Sequence, residues 1–402
     1  MDILEAKQIV IKAGHELLKA GLIVRTWGNI SCRVSDTQFV ITPSGRAYED
    51  LTPDDIVLVN IADLSYEGDV KPSSEKGIHA SCYELRPDCN FVIHTHQANA
   101  SIVSALGYDI NSLTEEHSAI IGTDVPCAAY GLPGTGKLRQ GVIDALNRSK
   151  SKAIILAHHG AVCVGSDYDD AFKVASTLED ACEKYIADRC SEVSGKAVET
   201  LIGVKDYIAS VFTSSASYKA EKEFAPIDSE RNGDTINIFK DGEEAVKINI
   251  NSGAVVGEGE KPESADLHLA IYKKRDDVNF IHHSHNEYVK AISKQGKKMK
   301  PLLDDFAQLI GPTVKCAVFS NSSAKNVVKA LGNKNAVLLK DNGAICVAGT
   351  KYDAEAIEIV MDKGCKTLVG ANLYSGVKAI NALEANLMRI IYKMKYSKKA
   401  GK

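Results

Sequence analysis

The chain of 402 residues is longer than one hydrophobic core usually serves, and its 45% hydrophobic and 25% charged residues, with 30 Gly and 10 Pro, describe two or three ordinary globular domains rather than a small module or a disordered segment. A formal charge of -4, from 48 Lys and Arg against 52 Asp and Glu, supplies no basic excess for a phosphate backbone, so nucleic acid is excluded as an expected partner. The start Met1-Asp2-Ile3-Leu4-Glu5 lacks a signal-peptide pattern, no stretch approaches about 18 uncharged apolar residues, and the 10 Cys form no C-x-x-C pair; a cytoplasmic protein with no membrane partner is expected.

The spacing of Ile3, Leu4, Ile9, Val10, Ala13, Leu17 and Leu18 predicts an amphipathic helix over 2–20, ended by Gly21. Short strands follow at 29–34, 38–42 and 55–60, separated by Ser-Asp, Pro-Ser-Gly and Thr-Pro-Asp turns. Helical patterns return at 76–86 and 98–106, apolar strands at 91–95 and 153–157, and a long helix at 168–190, so helices are expected to pack over one sheet. Gly131-Leu-Pro-Gly-Thr-Gly136-Lys137 nearly spells a phosphate-binding loop. Leu138 stands where such a loop needs Ser or Thr for Mg²⁺, and a Pro-Gly turn into a helix over 137–146 is the preferred reading. The charged tail from Lys393 to Lys399 reads as a solvated terminus.

The second half repeats the first. Arg86-Pro-Asp-Cys-Asn-Phe-Val-Ile-His-Thr-His96 recurs as Arg275-Asp-Asp-Val-Asn-Phe-Ile-His-His-Ser-His285. Ala153-Ile-Ile-Leu-Ala-His-His-Gly160 recurs as Ala336-Val-Leu-Leu-Lys-Asp-Asn-Gly343. The intervals are alike, 64 residues from His96 to Gly160 and 58 from His285 to Gly343. A tandem duplication follows, with domains 1–195 and 196–402 and a junction near 195–235, where Ser214-Ser-Ala-Ser217 and Ala225-Pro-Ile-Asp228 break the pattern.

In Phe91-Val-Ile-His94-Thr-His96 the apolar run predicts a buried strand, on which residues i and i+2 share a face. His158-His159-Gly160 closes another apolar strand. Three imidazoles converging where strands leave a sheet, with one position open, form the ligand set of a catalytic zinc. An H-x-H pair alone more often marks satisfied core or surface histidines; its place at the end of a buried strand, with a second His pair ending another, favours a metal. Lys71-Pro-Ser-Ser-Glu75 opens a helix that Ser73 or Ser74 can cap. The loops Thr26-Trp-Gly-Asn29-Ile-Ser31 and Thr42-Pro-Ser44-Gly45 suit a close approach to phosphate.

Gly28-Asn29-Ile-Ser, Thr42-Pro-Ser-Gly, Pro72-Ser-Ser-Glu75, His94-Thr-His96 and His159-Gly160, in that order over roughly residues 1–195, resemble the class II aldolase/adducin family. The resemblance implies a three-layer α/β/α fold on a largely antiparallel sheet, present twice here. It implies His94, His96 and His159 as ligands of one Zn²⁺ per chain in the N-terminal domain, Glu75 as acid/base, and Asn29, Ser44, Gly45, Ser73 and Ser74 as the phosphate site. The implied reaction is retro-aldol cleavage of a phosphorylated ketose, fuculose-1-phosphate-like or deoxy- or methylthio-ribulose-1-phosphate-like, to dihydroxyacetone phosphate and an aldehyde. Epimerase, dehydratase or decarboxylase chemistry at the same metal is the alternative, as is a non-catalytic adducin-like interaction protein. The family also implies a homo-oligomer, which the fused copies would build as a pseudo-symmetric ring.

Two departures matter. Where the aldolases commonly carry a Tyr, this chain has Leu113-Thr-Glu-Glu-His117, leaving Glu116 or His117 as candidate donor to the leaving alkoxide. In the second copy Asn342 replaces the third His, and Pro262-Glu263-Ser264-Ala265 scrambles the Ser-Ser-Glu segment. Asp234 to Phe239 and Asn251-Ser-Gly-Ala are expected as its loose counterparts of the two Gly-containing loops. This copy is expected to be catalytically silent.

Overall fold

The opening helix α1 (Ile3–Lys19) forms because its apolar positions recur with helical period and Asp2 accepts hydrogen bonds from the Leu4 and Glu5 amides at its start. Val10, Ala13 and Leu17 face inward, and Gly21 at φ 70° ends the helix. The computed structural model describes residues 1–215, 223–319 and 324–395. Ala216 and Ser217 of the serine-rich junction, and Tyr396 to Lys399 of the charged tail, lie outside them.

After α1 come β1 (Asn29–Arg33), β2 (Gln38–Ile41), β3 (Val57–Asn60), α2 (Lys76–Leu85), β4 (Phe91–Thr95), α3 (Ala98–Leu106), α4 (Glu115–Ile121), β5 (Cys127–Ala128), α5 (Gly136–Arg148), β6 (Ala153–Leu156), β7 (Gly160–Gly165) and α6 (Tyr168–Ser194). The sheet runs β3-β2-β1-β4-β7-β6-β5, antiparallel throughout except for β5 beside β6. On one face Val92, Val162 and Ile154 pack with Ile78 and Tyr83 of α2 and Leu138 and Val142 of α5. On the other lie α1, which packs on β1 and β2, and α6, which packs on β4 and β7 and carries α3. Helices thus cover both faces of an antiparallel sheet, and the α/β/α expectation holds.

The second half carries α7 (Leu201–Ser215), β8 (Asp228–Asn232), β9 (Thr235–Lys240), β10 (Glu243–Asn249), β11 (Val255–Val256), α8 (Ala265–Tyr272), β12 (Phe280–Ser284), α9 (Glu287–Ser293), α10 (Asp304–Leu309), β13 (Cys316–Ala317), α11 (Ala324–Leu331), β14 (Ala336–Leu339), β15 (Ala344–Ala348), α12 (Lys351–Ala371) and α13 (Ala382–Lys395). Its sheet, β11-β10-β9-β8-β12-β15-β14-β13, repeats the first strand for strand with β11 added at the edge. The copy of β1 is therefore β8. Asp234 to Phe239, expected as the counterpart of the Gly28–Ser31 loop, instead reaches into β9, the copy of β2. Asn251 to Ala254 follows β10, the copy of β3, rather than β9. Arg33 and Arg231 fix the register, since each guanidinium caps the carbonyls that end the next helix, Tyr83 and Arg86 in one copy and Tyr272 and Arg275 in the other.

One compact unit comprises Met1–Leu201 and Leu373–Lys378, the other Ile202–Asn372 and Ala379–Lys402. The short return segment belongs to the first because Arg189 donates to the Leu373 carbonyl at 3.3 Å and Tyr374 stacks on Tyr185 with centroids 6.3 Å apart. All ten cysteines are unpaired, eight of them buried. No helix among the described residues is long and apolar enough to cross a membrane.

Candidate metal centre

Alternation along β4 sends Val92 and His94 toward α2, and Ile93 to the opposite face. His96 follows two residues later, just past the strand end. The β6–β7 hairpin brings in the third imidazole: His158 adopts φ 62°, and the amide of His159 closes the turn on the Leu156 carbonyl at 3.0 Å. The His158 ring packs edge-on against Tyr130 at 5.3 Å, while His159 joins the cluster. Gly160 is required because a Cβ there would lie 2.2 Å from the Thr95 carbonyl oxygen. Gly28, at φ 99°, is required likewise, since its Cβ would meet the His94 carbonyl oxygen at 2.6 Å.

The three side chains meet through one kind of atom. His94 Nε2 lies 3.1 Å from His96 Nε2 and 3.1 Å from His159 Nε2. Glu75, at the start of α2, places Oε2 3.2 Å from His94 Nε2 and Oε1 3.1 Å from His159 Nε2. His94 Nδ1 must donate to the Ala161 carbonyl at 2.8 Å, which leaves its Nε2 lone pair aimed into the cluster. Imidazoles bound about 2.0–2.1 Å from a tetrahedral zinc stand about 3.4 Å apart, close to the spacing seen. The donor set therefore fits a divalent metal. Among the described residues, His94, His96 and His159 are the group of metal-ligating side chains that meets this test.

Burial by itself would raise the Glu75 carboxyl. The adjacent His159 and His94 outweigh it and hold the group well below its ordinary 4.5. Which of these opposing effects wins is invisible in the sequence.

The candidate phosphate residues divide into two sets. Ser44, Gly45 and Ser74 are accessible, whereas Asn29 and Ser73 are buried. Their loops are zipped together, Ser44 N to the Lys71 carbonyl at 2.9 Å and Ser73 N to the Thr42 carbonyl at 3.1 Å. The expected serine cap on α2 is not formed. Glu75 is the N-cap residue with no side-chain cap bond, and Ser73 Oγ instead accepts from the Glu75 amide at 3.2 Å. The near-phosphate loop at 131–137 is a turn into α5, with Thr135 Oγ1 taking the Leu138 amide. In α4, Glu116 is exposed and His117 half-buried, its amide on the Thr114 cap.

Sequence reasoning missed the buried layer behind Glu75. Asn29 Nδ2 donates to Glu75 Oε2 at 3.2 Å, Asn29 Oδ1 meets His79 Nε2 at 2.5 Å, and His79 Nδ1 meets Ser31 Oγ at 2.6 Å. Ser31 Oγ also lies 2.6 Å from Tyr83 OH. The signal was present: Glu75, His79 and Tyr83 recur every four residues on α2, and Asn29 and Ser31 alternate on β1.

The second unit keeps part of this arrangement. His283 and His285 hold their Nε2 atoms 3.1 Å apart, as the first pair does. Asn342, in the place of His159, uses its Oδ1 to accept the Phe224 amide at 2.8 Å, and its carbonyl lies 2.8 Å from His283 Nε2. Ser264 stands at the Glu75 position, four residues before His268 as Glu75 is before His79.

The sequence matches the Class II Aldolase and Adducin N-terminal domain family twice, over residues 8–186 and 238–369. The chain belongs to this family. Its relatives include the 5-methylthioribulose-1-phosphate/5-deoxyribulose-1-phosphate aldolase of Escherichia coli O45:K1, 34% identical over 46% of this chain and 85% of the relative. The L-fuculose phosphate aldolase of Escherichia coli K12 is 35% identical over 45% of this chain and 82% of the relative. Among solved structures, an L-fuculose 1-phosphate aldolase superposes with TM-score 0.44 and 28% identity, covering 48% of this chain and 90% of that one.

The buried histidines also set a pH dependence. Burial, with the nearby His94, depresses His79 to about 3, and burial depresses His268 to about 4, from 6.5. Both folded values lie below the unfolded value, so below pH 6.5 the unfolded chain takes up protons that the folded chain refuses. Stability is full above pH 6.5 and falls toward pH 4, by roughly 1.4 kcal/mol per pH unit for each histidine. Urea unfolding at pH 7 and pH 5 measures it; equal midpoints would contradict the buried neutral state.

Proposed function

We propose that residues 1–195 form the catalytic domain of a zinc-dependent lyase that cleaves a phosphorylated ketose to dihydroxyacetone phosphate and an aldehyde, and that 196–402 form a degenerate copy. The observation that carries the reading is the meeting of three imidazoles, two of which set Nε2 against the two oxygens of one buried carboxylate. Relatives named as aldolases, matched over more than four-fifths of their own length, support carbon–carbon bond cleavage as the reaction class. His94, His96 and His159 would hold the metal, which when bound supplies a Lewis acid for the ketose carbonyl and its adjacent hydroxyl.

Glu75 then serves as the base that moves a proton within the site, its two carboxylate oxygens set against His94 and His159. Ser44, Gly45 and Ser74, accessible at the mouth of the zipped loops, with the buried Asn29 and Ser73, are the proposed phosphate contacts. In the second unit, Asn342 and Ser264 supply neither the third imidazole nor the carboxylate, which supports a role without turnover there.

The test supplies zinc-loaded protein with L-fuculose 1-phosphate and with 5-deoxyribulose 1-phosphate and assays dihydroxyacetone phosphate by enzymatic coupling. Release from either sugar is expected. A rearranged but uncleaved sugar phosphate would replace the lyase with an epimerase or dehydratase, and no change in either would turn the reading to an adducin-like interaction protein.

A further inference from the structure

We infer that His79 is a positioning residue for Glu75, acting through Asn29; the inference rests on the proposed lyase reading. The donor directions along the buried chain are determined from its acidic end. An ionised carboxylate only accepts, so Asn29 must present Nδ2 to Glu75 Oε2, at 3.2 Å. Its Oδ1 then faces His79 at 2.5 Å and requires a proton on His79 Nε2. The neutral ring consequently offers Nδ1 as an acceptor, which the Ser31 hydroxyl fills at 2.6 Å. Tyr83, whose burial keeps its phenol protonated, donates to Ser31 Oγ at 2.6 Å. Every donor points toward Glu75. The opposite orientation of the Asn29 amide would set its oxygen against a carboxylate.

The duplicated copy separates architecture from chemistry. Ser229 Oγ lies 2.7 Å from His268 Nδ1 and 3.0 Å from Tyr272 OH, so the Ser-His-Tyr piece is common to both units. There the chain stops. Ile227 occupies the Asn29 position, two residues before Ser229, and Ser264 occupies the Glu75 position. His268 Nε2 is buried and makes no hydrogen bond among the described residues. The link from His79 Nε2 through Asn29 to the carboxylate is thus what the first unit adds to a shared scaffold. In a buried site, two hydrogen bonds on Asn29 confine its amide, and the amide confines Oε2 beside His94.

The experiment compares His79→Leu, His79→Gln and His268→Leu in the full-length zinc-loaded protein, reading kcat, KM, zinc content and melting temperature. His79→Leu is expected to lower kcat roughly 10- to 100-fold with zinc content unchanged and a smaller change in KM, as losses of supporting hydrogen bonds at metal sites do. His79→Gln, which retains a donor toward Asn29 and an acceptor toward Ser31, should recover most of that loss. His268→Leu should lose comparable stability and keep kcat. A kcat loss shared equally by His79→Leu and His268→Leu, or one that follows zinc loss, overturns the positioning role.

A second readout is independent of turnover. Histidine ¹⁵N spectra of the protein as isolated should show His79 as the Nε2–H tautomer, with its shift moving in Asn29→Leu. An Nδ1–H tautomer overturns the inference. If wild type cleaves neither sugar phosphate, the lyase reading fails and the tautomer alone decides whether the chain points at Glu75.

Discussion

Replacing His159 with alanine is expected to empty the metal site and abolish turnover. Wild type should carry about one zinc per chain by elemental analysis, and His159→Ala close to none after dialysis. His94 Nε2 stands close to one coordination-polyhedron edge from both His96 Nε2 and His159 Nε2, and removing one ring leaves two imidazoles where a catalytic zinc uses three protein ligands. The second unit already displays that reduced set, in His283 and His285 beside an amide that is occupied by the Phe224 backbone. Loss of a Lewis acid worth several kcal/mol corresponds to a fall in kcat/KM of about a thousandfold or more. One zinc per chain retained in the variant would place the metal elsewhere. Near two per chain in wild type would make the second unit a metal site as well.

Glu75→Gln should lose turnover while keeping zinc and fold. The amide matches the carboxylate in size and still offers an oxygen to Asn29 Nδ2, so the packing at the start of α2 survives. What disappears is the proton-accepting charge, and general-base contributions of this kind run to about 100- to 10,000-fold. His94, His96 and His159 remain as three ligands, so zinc content should stay near wild type. Unchanged kcat in Glu75→Gln would remove Glu75 from the role of base.

Much of this centre is legible along the chain because its parts are local. His94 and His96 share a face by strand alternation alone. The choice of His159 over His158 came from the family resemblance, and its physical basis is the left-handed φ of His158, which tightens the hairpin and turns the next side chain inward. Glu75 stood out only within its Ser-Ser-Glu segment. The expectation that a neighbouring serine would cap α2 failed because Ser73 is spent on the Glu75 amide, leaving the Glu75 side chain to turn toward the imidazoles.

His79 escaped notice for a different reason. A lone histidine inside an apolar helix reads as core, and its partners Asn29 and Ser31 lie about fifty residues upstream. The same distance hid the true counterpart of β1 in the second copy, where β8 preserves Ser229 and Arg231 but neither the glycine nor the asparagine.

By itself the sequence determined the duplication, the helical and strand periods, the histidine pairs and the loss of the third imidazole in the second copy. All of these are properties of spacing and residue type within short segments. Tertiary structure alone decided that β1 lies beside β4 in the register that sets Asn29 opposite His94, with α2 laid across them. That packing brings Glu75, Asn29, His79, Ser31 and Tyr83 into one buried chain. Its hydrogen bonds join segments far apart in sequence, and a slip of one residue in strand register would send every one of the β1 side chains to the opposite face.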